Sequence, residues 1–539
     1  MDYLFTQASM STTLNNCSFA WIVAPLVGIV GFLTCLWLLK LITSEKRKKE
    51  KKKKHVASKL PPGPKGLPII GNLHQLGGPN LHKKLWEMAK KYGPIMYLRL
   101  GSFPLVVVSS AEAAHEFLKV QDKVWSSRPP SIATKLISYN YKGIVSTPYG
   151  AHWRHMRKIC RLELFSIKRI ESFRESRAKE FSQMVRSIMA DSDQGKVVEL
   201  DVKLGHLAAN LVTHMLLGER FFESEQNVLK FKETIFKVFS LSTMLLGDFF
   251  PWLEWVSTVT GYKAHIMKVK AEGETPLQEF LELKKIQLNT HAQLGMNKFE
   301  NFLDVLMAQN SSEDCNKRLS DESIKAMIRQ LLTAGTDTSS ITVEWGIAEL
   351  LRHPSVATKL REELDSVVGK DRVVNETDII NLPYLQAVTK EVFRLHPPTP
   401  LLIPHQSIEA TVVAPQGFEL PKSTRMFVNV YAIQRDPMVW ERPLEFDPER
   451  FMKNPEIDVR GAHYQLLPFG SGRRQCPAMG VGILFVQMGL ARIMHSFDLS
   501  LPQAQDPENL DITERFAINI WLATPLHVIA KPRLPKNLY

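Results

Sequence analysis

The stretch PFGSGRRQCPAMG, residues 468–480, puts a cysteine directly behind a loop holding two glycines and two arginines, and directly before a proline. Glycines let backbone take positive φ and approach a ligand closely. Pro477 suits the first position of a helix, where its missing N–H has no partner to lose. The residues that follow, AMGVGILFVQMGLARIMHSF, are apolar nearly all round, as in a buried helix. Cys476 is therefore expected at a helix N-terminus, where free N–H groups and the helix dipole favour a thiolate. Arg474 adds positive potential and can pair with carboxylates. An inert core thiol needs none of this setting. A redox cysteine gains nothing from an apolar helix and a glycine-rich cradle together. A thiolate ligand to haem iron uses all of it. The fragment GVGILF (480–485) lacks the third glycine and the preceding strand of a dinucleotide fingerprint.

The rest of the chain narrows the setting. The five cysteines are Cys17, Cys35, Cys160, Cys315 and Cys476, far apart and without a CxxC pair. This argues against a zinc site or a disulfide framework and for a reducing compartment. The net charge of +13 is uneven: residues 45–54, EKRKKEKKKK, hold eight Lys or Arg against two Glu. Before them, FAWIVAPLVGIVGFLTCLWLL (19–39) carries no charge and matches the roughly 20 apolar residues a membrane helix needs. Lys40 and the basic tract follow at once, which predicts a cytosolic C-terminal side. A cleaved signal peptide would have its positive charge before a shorter apolar run. The basic tract then reads as a stop signal touching anionic lipid rather than a nucleic-acid arm. The stretch KLPPGPKGLPIIGN (59–72) reads as a stiff, non-helical connector.

The expected division is a membrane anchor in 1–42, a basic and proline-rich hinge in 43–72 and a catalytic body in 73–539. With that topology the sequons at Asn310 and Asn375 face the cytosol and stay unglycosylated, while Asn16 is lumenal.

Most of residues 80–400 shows apolar spacing near 3.6, the helical period. IMYLRLGSFPLVVVSS (95–110) predicts a hairpin, and TRMFVNVYAI (424–433) a further extended segment. FAINIWLATPLHVIAK (516–531) alternates and turns at Pro525. The fold class expected is mainly α with a small antiparallel β part.

Residues 321–354, DESIKAMIRQLLTAGTDTSSITVEWGIAELLRHP, predict one long helix with apolar residues at 324, 327, 328, 331 and 332, ended by Pro354. Its centre, AGTDT (334–338), is a poor helix interior, and threonines there can bond back to carbonyls and bend it. In YLQAVTKEVFRLHP (384–397), Glu391 and Arg394 share one helical face. In AHWRHMRKICR (151–161), Trp153 and Arg157 are one turn apart, and Arg154, Lys158 and Arg161 cluster. His152 and His155 lack a third ligand for zinc.

These stretches, in this order, resemble the cytochrome P-450 family. Phe469, Gly472, Arg474 and Cys476 match its haem signature FxxGxRxCxG in register, with Ala478 in place of the last glycine. The resemblance spans about residues 60–539 and, with the anchor included, the chain looks like a plant microsomal enzyme of the A-type group. It implies haem b with Cys476 as the iron ligand, and Trp153, Arg157, His405, Phe469 and Arg474 around the cofactor. It implies Thr338 and Asp337 as the pair that handles dioxygen and its two protons. Glu391, Arg394 and Arg450 are implied as a buried structural network. Electrons are implied to come from NADPH through cytochrome P-450 reductase, docked on the basic face, since no nicotinamide or flavin motif is present. The implied site is the endoplasmic reticulum membrane, single-pass, with the body in the cytosol.

The function expected is insertion of one oxygen atom from dioxygen into an apolar or aromatic small molecule. A phenylpropanoid or flavonoid of plant secondary metabolism comes first, because AGTDTSSITVEW resembles plant flavonoid hydroxylases. A terpenoid or fatty acid is the alternative substrate. A non-oxygenating isomerase or dehydratase of the same fold, or an anchored haem carrier or sensor, is the alternative function; Thr338 argues against both.

Overall fold

The computed structural model describes residues 59–241, 246–272, 278, 281–282, 286, 301–310, 318–502 and 506–539. The expected anchor and basic tract lie outside these residues, as does Asn16. The helices used below are, in chain order, α1 (Leu81–Tyr92), α2 (Ala151–Ile159), α3 (Arg174–Asp193), α4 (Leu200–Leu217), α5 (Glu225–Leu241), α6 (Asp321–Arg352), α7 (Pro354–Val367), α8 (Pro383–Leu395) and α9 (Met479–Ser496).

Helix α6 is the long helix expected from its apolar spacing. Ser320 Oγ accepts the Ser323 N–H at 3.3 Å, and Asp321 and Glu322 complement the dipole in the first turn. Pro354 cannot continue the helix and opens α7 instead. Ile324, Met327, Ile328 and Leu331 are buried. From Ser340 to Leu351 the helix is buried without interruption, yet Leu332 to Gly335, Thr338 and Ser339 are only half-buried. A core helix with half-open sides at its middle borders an internal cleft.

Helix α9 packs across α6 where side chains are smallest. A Cβ on Gly489 would come 2.9 Å from Val343 Cγ2, and one on Gly346 would come 2.8 Å from Leu490 Cδ2. Glycine at both positions leaves room for these side chains, which an added methyl would have to push aside. Among the described residues α9 alone is long and apolar enough to cross a membrane, but most of it is buried in the body. It is the core helix behind the cysteine loop.

The strands are few and short. A four-stranded sheet has the order β1 (Ile95–Leu100), β2 (Phe103–Val108), β7 (Arg425–Val428), β4 (His405–Gln406). The β1–β2 hairpin is the one expected, with Leu100 opposite Phe103. The small β part is not wholly antiparallel, however: β7 runs parallel to β2. A hairpin forces antiparallel pairing, whereas the long helical excursion between β2 and β7 does not. Strand β3 (Val198–Glu199) and β8 (Phe497–Ser500) flank β11 (His527–Pro532), and β5 (Thr411–Val413) pairs with β6 (Phe418–Leu420). The last pair, β9 (Glu514–Phe516) and β10 (Ile520–Leu522), is antiparallel. The alternating run 516–531 thus turns twice, at 517–519 and around Pro525, and its two halves join different sheets.

One boundary differs from expectation. Residues 424–433 are extended only to Val428, because Asn429 Oδ1 accepts the Ala432 N–H at 3.2 Å and starts a helical turn, Val430–Ile433. Leu60–Tyr539 form one unit by their contacts. The Tyr97 N–H donates to Pro62 O at 2.8 Å and the Arg99 N–H to Asn72 Oδ1 at 2.8 Å, so residues 60–72 lie along β1.

Candidate functional site: a cysteine loop beside arginines without carboxylate partners

Cys476 lies between a 3-10 turn, Gly472–Arg474, and α9. The helix begins at Met479, with Ala478 as its N-cap, so Pro477 stands before the helix and not at its first position. The loop is folded by its own backbone: the Cys476 N–H donates to Phe469 O at 3.0 Å, and the Gln475 N–H to Gly472 O at 3.1 Å. Gly472 has φ +71°, and a Cβ there would lie 2.3 Å from Leu118 O. This position admits glycine alone. The Arg473 N–H donates to Asp122 Oδ1 at 2.8 Å and its guanidinium pairs with the same carboxylate. Cys476 is a free thiol. Burial pushes its pKa up, while the Ala478 N–H at the sulfur and the nearby Arg157 pull it back. Ala478 thus contributes a backbone donor to the Cys476 sulfur.

Arginines converge beside this loop. Arg474 Nε donates to Ser126 O at 2.6 Å and Nη2 to Thr147 O at 2.6 Å, and the guanidinium lies 4.3 Å over the Trp153 ring. Trp153 and Arg157 stand one turn apart on α2, Trp153 buried and Arg157 half-buried. Arg128, only 8% exposed, donates to Ile403 O at 2.7 Å, Pro404 O at 2.8 Å and Val145 O at 3.2 Å. His405 Nδ1 bonds to Trp125 O at 2.8 Å, so Nδ1 carries the proton. Burial and the neighbouring Arg128 hold His405 well below its ordinary value. It is neutral here, with Nε2 an acceptor; a carboxylate beside it would favour the charged, donating form.

Among the described residues no carboxylate pairs with Arg128, Arg157 or Arg474. Burial lowers the pKa of all three, Arg474 to about 9, and no carboxylate opposes it; only Cys476 and Cys160 at Arg157 and Tyr149 at Arg474 pull the other way. Buried charge without an anion is costly. The cluster is therefore matched to an anionic ligand carrying carboxylates, and the half-open sides of α6 and of the first turns of α9 are matched to an apolar body. Val481 of α9 packs in the cluster that holds Met156 and Cys160 at α2 and Leu331 of α6, so these surfaces meet. A haem fits that donor set: the propionates suit the arginines, the ring suits the apolar faces, and the free sulfur suits the iron.

The structural network is compact. Arg394 Nε and Nη2 form a two-pronged pair with Glu391 at 2.7 and 2.8 Å, both side chains fully buried. The remaining Arg394 donors go to the carbonyls of Gln434 (2.9 Å), Pro443 (2.7 Å) and Glu445 (2.9 Å). All five guanidinium N–H groups are used. Arg450 Nε adds a bond to Glu391 at 3.0 Å and the Asp447 N–H another at 2.8 Å.

The link from this network to the cysteine loop is Gln434, which the sequence did not single out. Its Nε2 caps the end of α8 by donating to Phe393 O (2.9 Å) and Arg394 O (2.8 Å), and its Oε1 accepts the Leu467 N–H at 2.9 Å. Leu467 leads directly into Pro468–Phe469, and the Phe469 ring packs 5.0 Å from Phe393. Arg128 was missed in the same way. Its partners are backbone carbonyls, which carry no sequence signature; only its place in a tryptophan-containing run before two prolines hinted at burial.

On α6, Thr338 Oγ–H donates to Ala334 O at 2.7 Å, and Thr342 repeats this to Thr338 O at 2.7 Å. The Thr338 proton is thus committed to the helix, and its oxygen is open as an acceptor. Asp337 does not share that side. It is buried, with Oδ2 accepting from Asn519 Nδ2 at 2.6 Å and Oδ1 from Trp521 Nε1 at 3.0 Å. Burial raises its pKa against these two bonds. Gly335 faces α4: a Cβ there would lie 2.8 Å from Val212 Cγ2. Among the described residues no group of three His, Cys, Asp or Glu is set to hold a bare metal ion.

The family model of cytochrome P-450 matches residues 61–525. A flavonoid 3'-monooxygenase of Crocosmia x crocosmiiflora is 40% identical over 489 residues, 89% of this chain and 94% of that one. A flavonoid 3'-monooxygenase of Arabidopsis thaliana is 38% identical over 524 residues, 96% and 99% of the two chains. A cytochrome P-450 of Pinus taeda, whose name carries no substrate, is 40% identical over 491 residues, 89% and 92%. With the fold and the site they match, these comparisons establish that the chain belongs to the cytochrome P-450 family and is a haem-dependent, dioxygen-using monooxygenase of it.

Proposed function

We propose that this chain is a membrane-anchored plant hydroxylase that inserts one oxygen atom into an apolar aromatic molecule of the phenylpropanoid or flavonoid class. The carrying observation is the free Cys476 sulfur beside one buried and two half-buried arginines that no carboxylate pairs with among the described residues. Cys476 ligates the haem iron, and Arg128, Arg157, Arg474, Trp153 and His405 hold the propionate edge. Bound haem supplies the electron storage and dioxygen chemistry that no side chain here provides. Thr338 contributes an acceptor oxygen on the half-open side of α6, and Asp337, anchored behind it by the Asn519 and Trp521 N–H groups, is the neighbouring carboxyl of the pair.

The substrate class is supported by the names of the flavonoid-active relatives, and an aromatic cluster bonded to α6 through Trp521 suits it. Trp521 meets Phe236 at 5.5 Å and Phe239 at 6.3 Å, both on α5. Arg154, Lys158 and Arg161 are exposed on and beside α2, and among the described residues no carboxylate pairs with them. Their charge suits the acidic face of an NADPH-fed reductase. Trp252, Trp255 and Val259 are exposed large apolar residues of the kind that enters a lipid headgroup layer, in keeping with an anchor in 19–39 and residence at the endoplasmic reticulum.

The test joins two measurements on full-length protein. Cys476→Ser should abolish the spectrum of the reduced carbon monoxide complex; an unaltered spectrum refutes the ligand assignment. A panel of flavonoids, phenolic esters, terpenoids and fatty acids is then titrated for the spin shift of the haem. A shift confined to terpenoids or fatty acids refutes the substrate class. Product without reductase and NADPH would make the chain an isomerase or dehydratase, and no product at all a carrier or sensor.

A further inference from the structure

Asp337 and Thr338 are neighbours in sequence, yet their side chains leave α6 about 100° apart. Thr338 borders the cleft. Asp337 is turned to the β9–β10 hairpin, and each of its oxygens already receives an N–H from it, one from Asn519 and one from Trp521.

The same turn is pinned from other sides. Thr399 Oγ donates to Asn519 Oδ1 at 2.9 Å, the Ile520 N–H to Pro398 O at 3.0 Å, and Trp345 Nε1 to Ile520 O at 3.2 Å. At the hairpin's base Glu514 pairs with Lys83 at 2.8 Å and His82 at 2.9 Å. The hairpin carries its aromatic side outward from these ties: the Trp521 ring rests on Phe236 and Phe239, and the Arg515 guanidinium lies 3.7 Å over Phe236. A two-stranded hairpin of this length has little stability of its own in water. Bonds from N–H to a carboxylate are among the stronger ones available to hold it.

We propose that Asp337 is the clasp of the β9–β10 hairpin, with Asn519 and Trp521 as positioning residues that hold the Trp521–Phe236–Phe239 wall against α6. The meaning of that wall rests on the reading above, in which the α6 cleft receives an aromatic substrate. One carboxylate then joins the seat of the substrate to the residue next to Thr338. A guest that moves the Trp521 ring pulls on the Asp337 carboxylate, and a change at Asp337 loosens the wall.

The test exchanges donor and acceptor in haem-loaded, full-length protein. Asn519→Asp sets two carboxylates against each other. In the double variant Asp337→Asn/Asn519→Asp the amide at 337 donates to the carboxylate at 519, while its oxygen still accepts from Trp521. Amide deuterium exchange of residues 515–523 should rise at least tenfold in Asn519→Asp and return to within threefold of the parent in the double variant. Exchange within twofold of the parent in Asn519→Asp, or a double variant as fast as Asn519→Asp, overturns the clasp. Should Asn519→Asp fail to fold, Trp521→Phe keeps a ring on Phe236 and removes only the N–H. A rise of about tenfold supports the clasp, and unchanged exchange overturns it. Exchange does not depend on turnover, so an unaltered Cys476→Ser spectrum would remove the haem reading and leave this result standing.

Discussion

Gln434→Leu tests how the cysteine loop is held. Leucine keeps the volume and removes three buried hydrogen bonds, those to Phe393 O, Arg394 O and from the Leu467 N–H. Gln434 is fully buried, so water cannot replace them. Each group left unpaired costs about 1–3 kcal/mol. The three share one side chain and partly relax together, so the combined loss is set at about 4 kcal/mol. With an unfolding entropy of about 2.1 cal/mol/K per residue, a body of this size loses on the order of 1 °C in Tm per kcal/mol. The global shift is then only about 4 °C. The local effect is larger, because Leu467 opens the Phe469–Cys476 loop. Haem per polypeptide, read from the reduced carbon monoxide complex, should fall severalfold, and the Leu467 amide should exchange at least a hundredfold faster, since about 3 kcal/mol is two powers of ten. Gln434→Glu keeps the acceptor for Leu467 and should exchange that amide more slowly than the leucine variant does. Full haem content with a Tm within 1 °C of the parent would show that the network does not support the loop through Gln434.

Two further predictions concern pH. Glu344 is buried on α6, accepts the Leu526 N–H at 2.9 Å, and is pushed up to about 7 by burial. A carboxyl raised above its unfolded value favours the fold below that value, and this advantage fades as pH climbs to about 7. Glu344→Gln keeps the acceptor and should gain about 2–3 kcal/mol over the parent at pH 8 relative to pH 4.5; an equal difference at both pH values in denaturant melts refutes it. Glu514 has the opposite sign. Burial would raise it, but His82 and Lys83 bring it down to about 2. Burial keeps His82 itself below its ordinary value, so it donates as a neutral ring and Lys83 supplies the charge. The Glu514 contribution is full above the ordinary carboxylate range and is lost as pH falls toward about 2. Glu514→Gln should therefore remove about 2–3 kcal/mol of the parent's acid destabilisation between pH 5 and 2, and a parallel acid limb in the two proteins would exclude the pairing.

Much of the site was legible because it is local in the chain. Phe469, Gly472, Arg474 and Cys476 stand within eight residues, Glu391 and Arg394 within one helical turn, and α6 announces itself by apolar spacing from Ile324 to Leu332 and a proline at its end. Motif and period are properties of neighbours, and neighbours remain neighbours in any fold. Other elements were misread where the deciding partner was remote. Residues 430–433 looked extended until Asn429 capped them, and nothing near Gly335 in the chain shows that α4 sets Val212 against it. The parallel pairing of β7 with β2 has no local turn to announce it.

Sequence alone determined the class of chemistry, because one loop concentrates the cysteine, the glycines that let it fold tightly and the arginines that set its charge. Tertiary structure decided which groups hold that loop and which way Asp337 turns. Gln434 and Arg128 act on backbone carbonyls, and Asn519 and Trp521 reach Asp337 from 182 and 184 residues further along the chain. Every residue carries such carbonyl and amide groups, so nothing in the letters marks which of them a buried side chain will meet; that is settled only when the chain has packed.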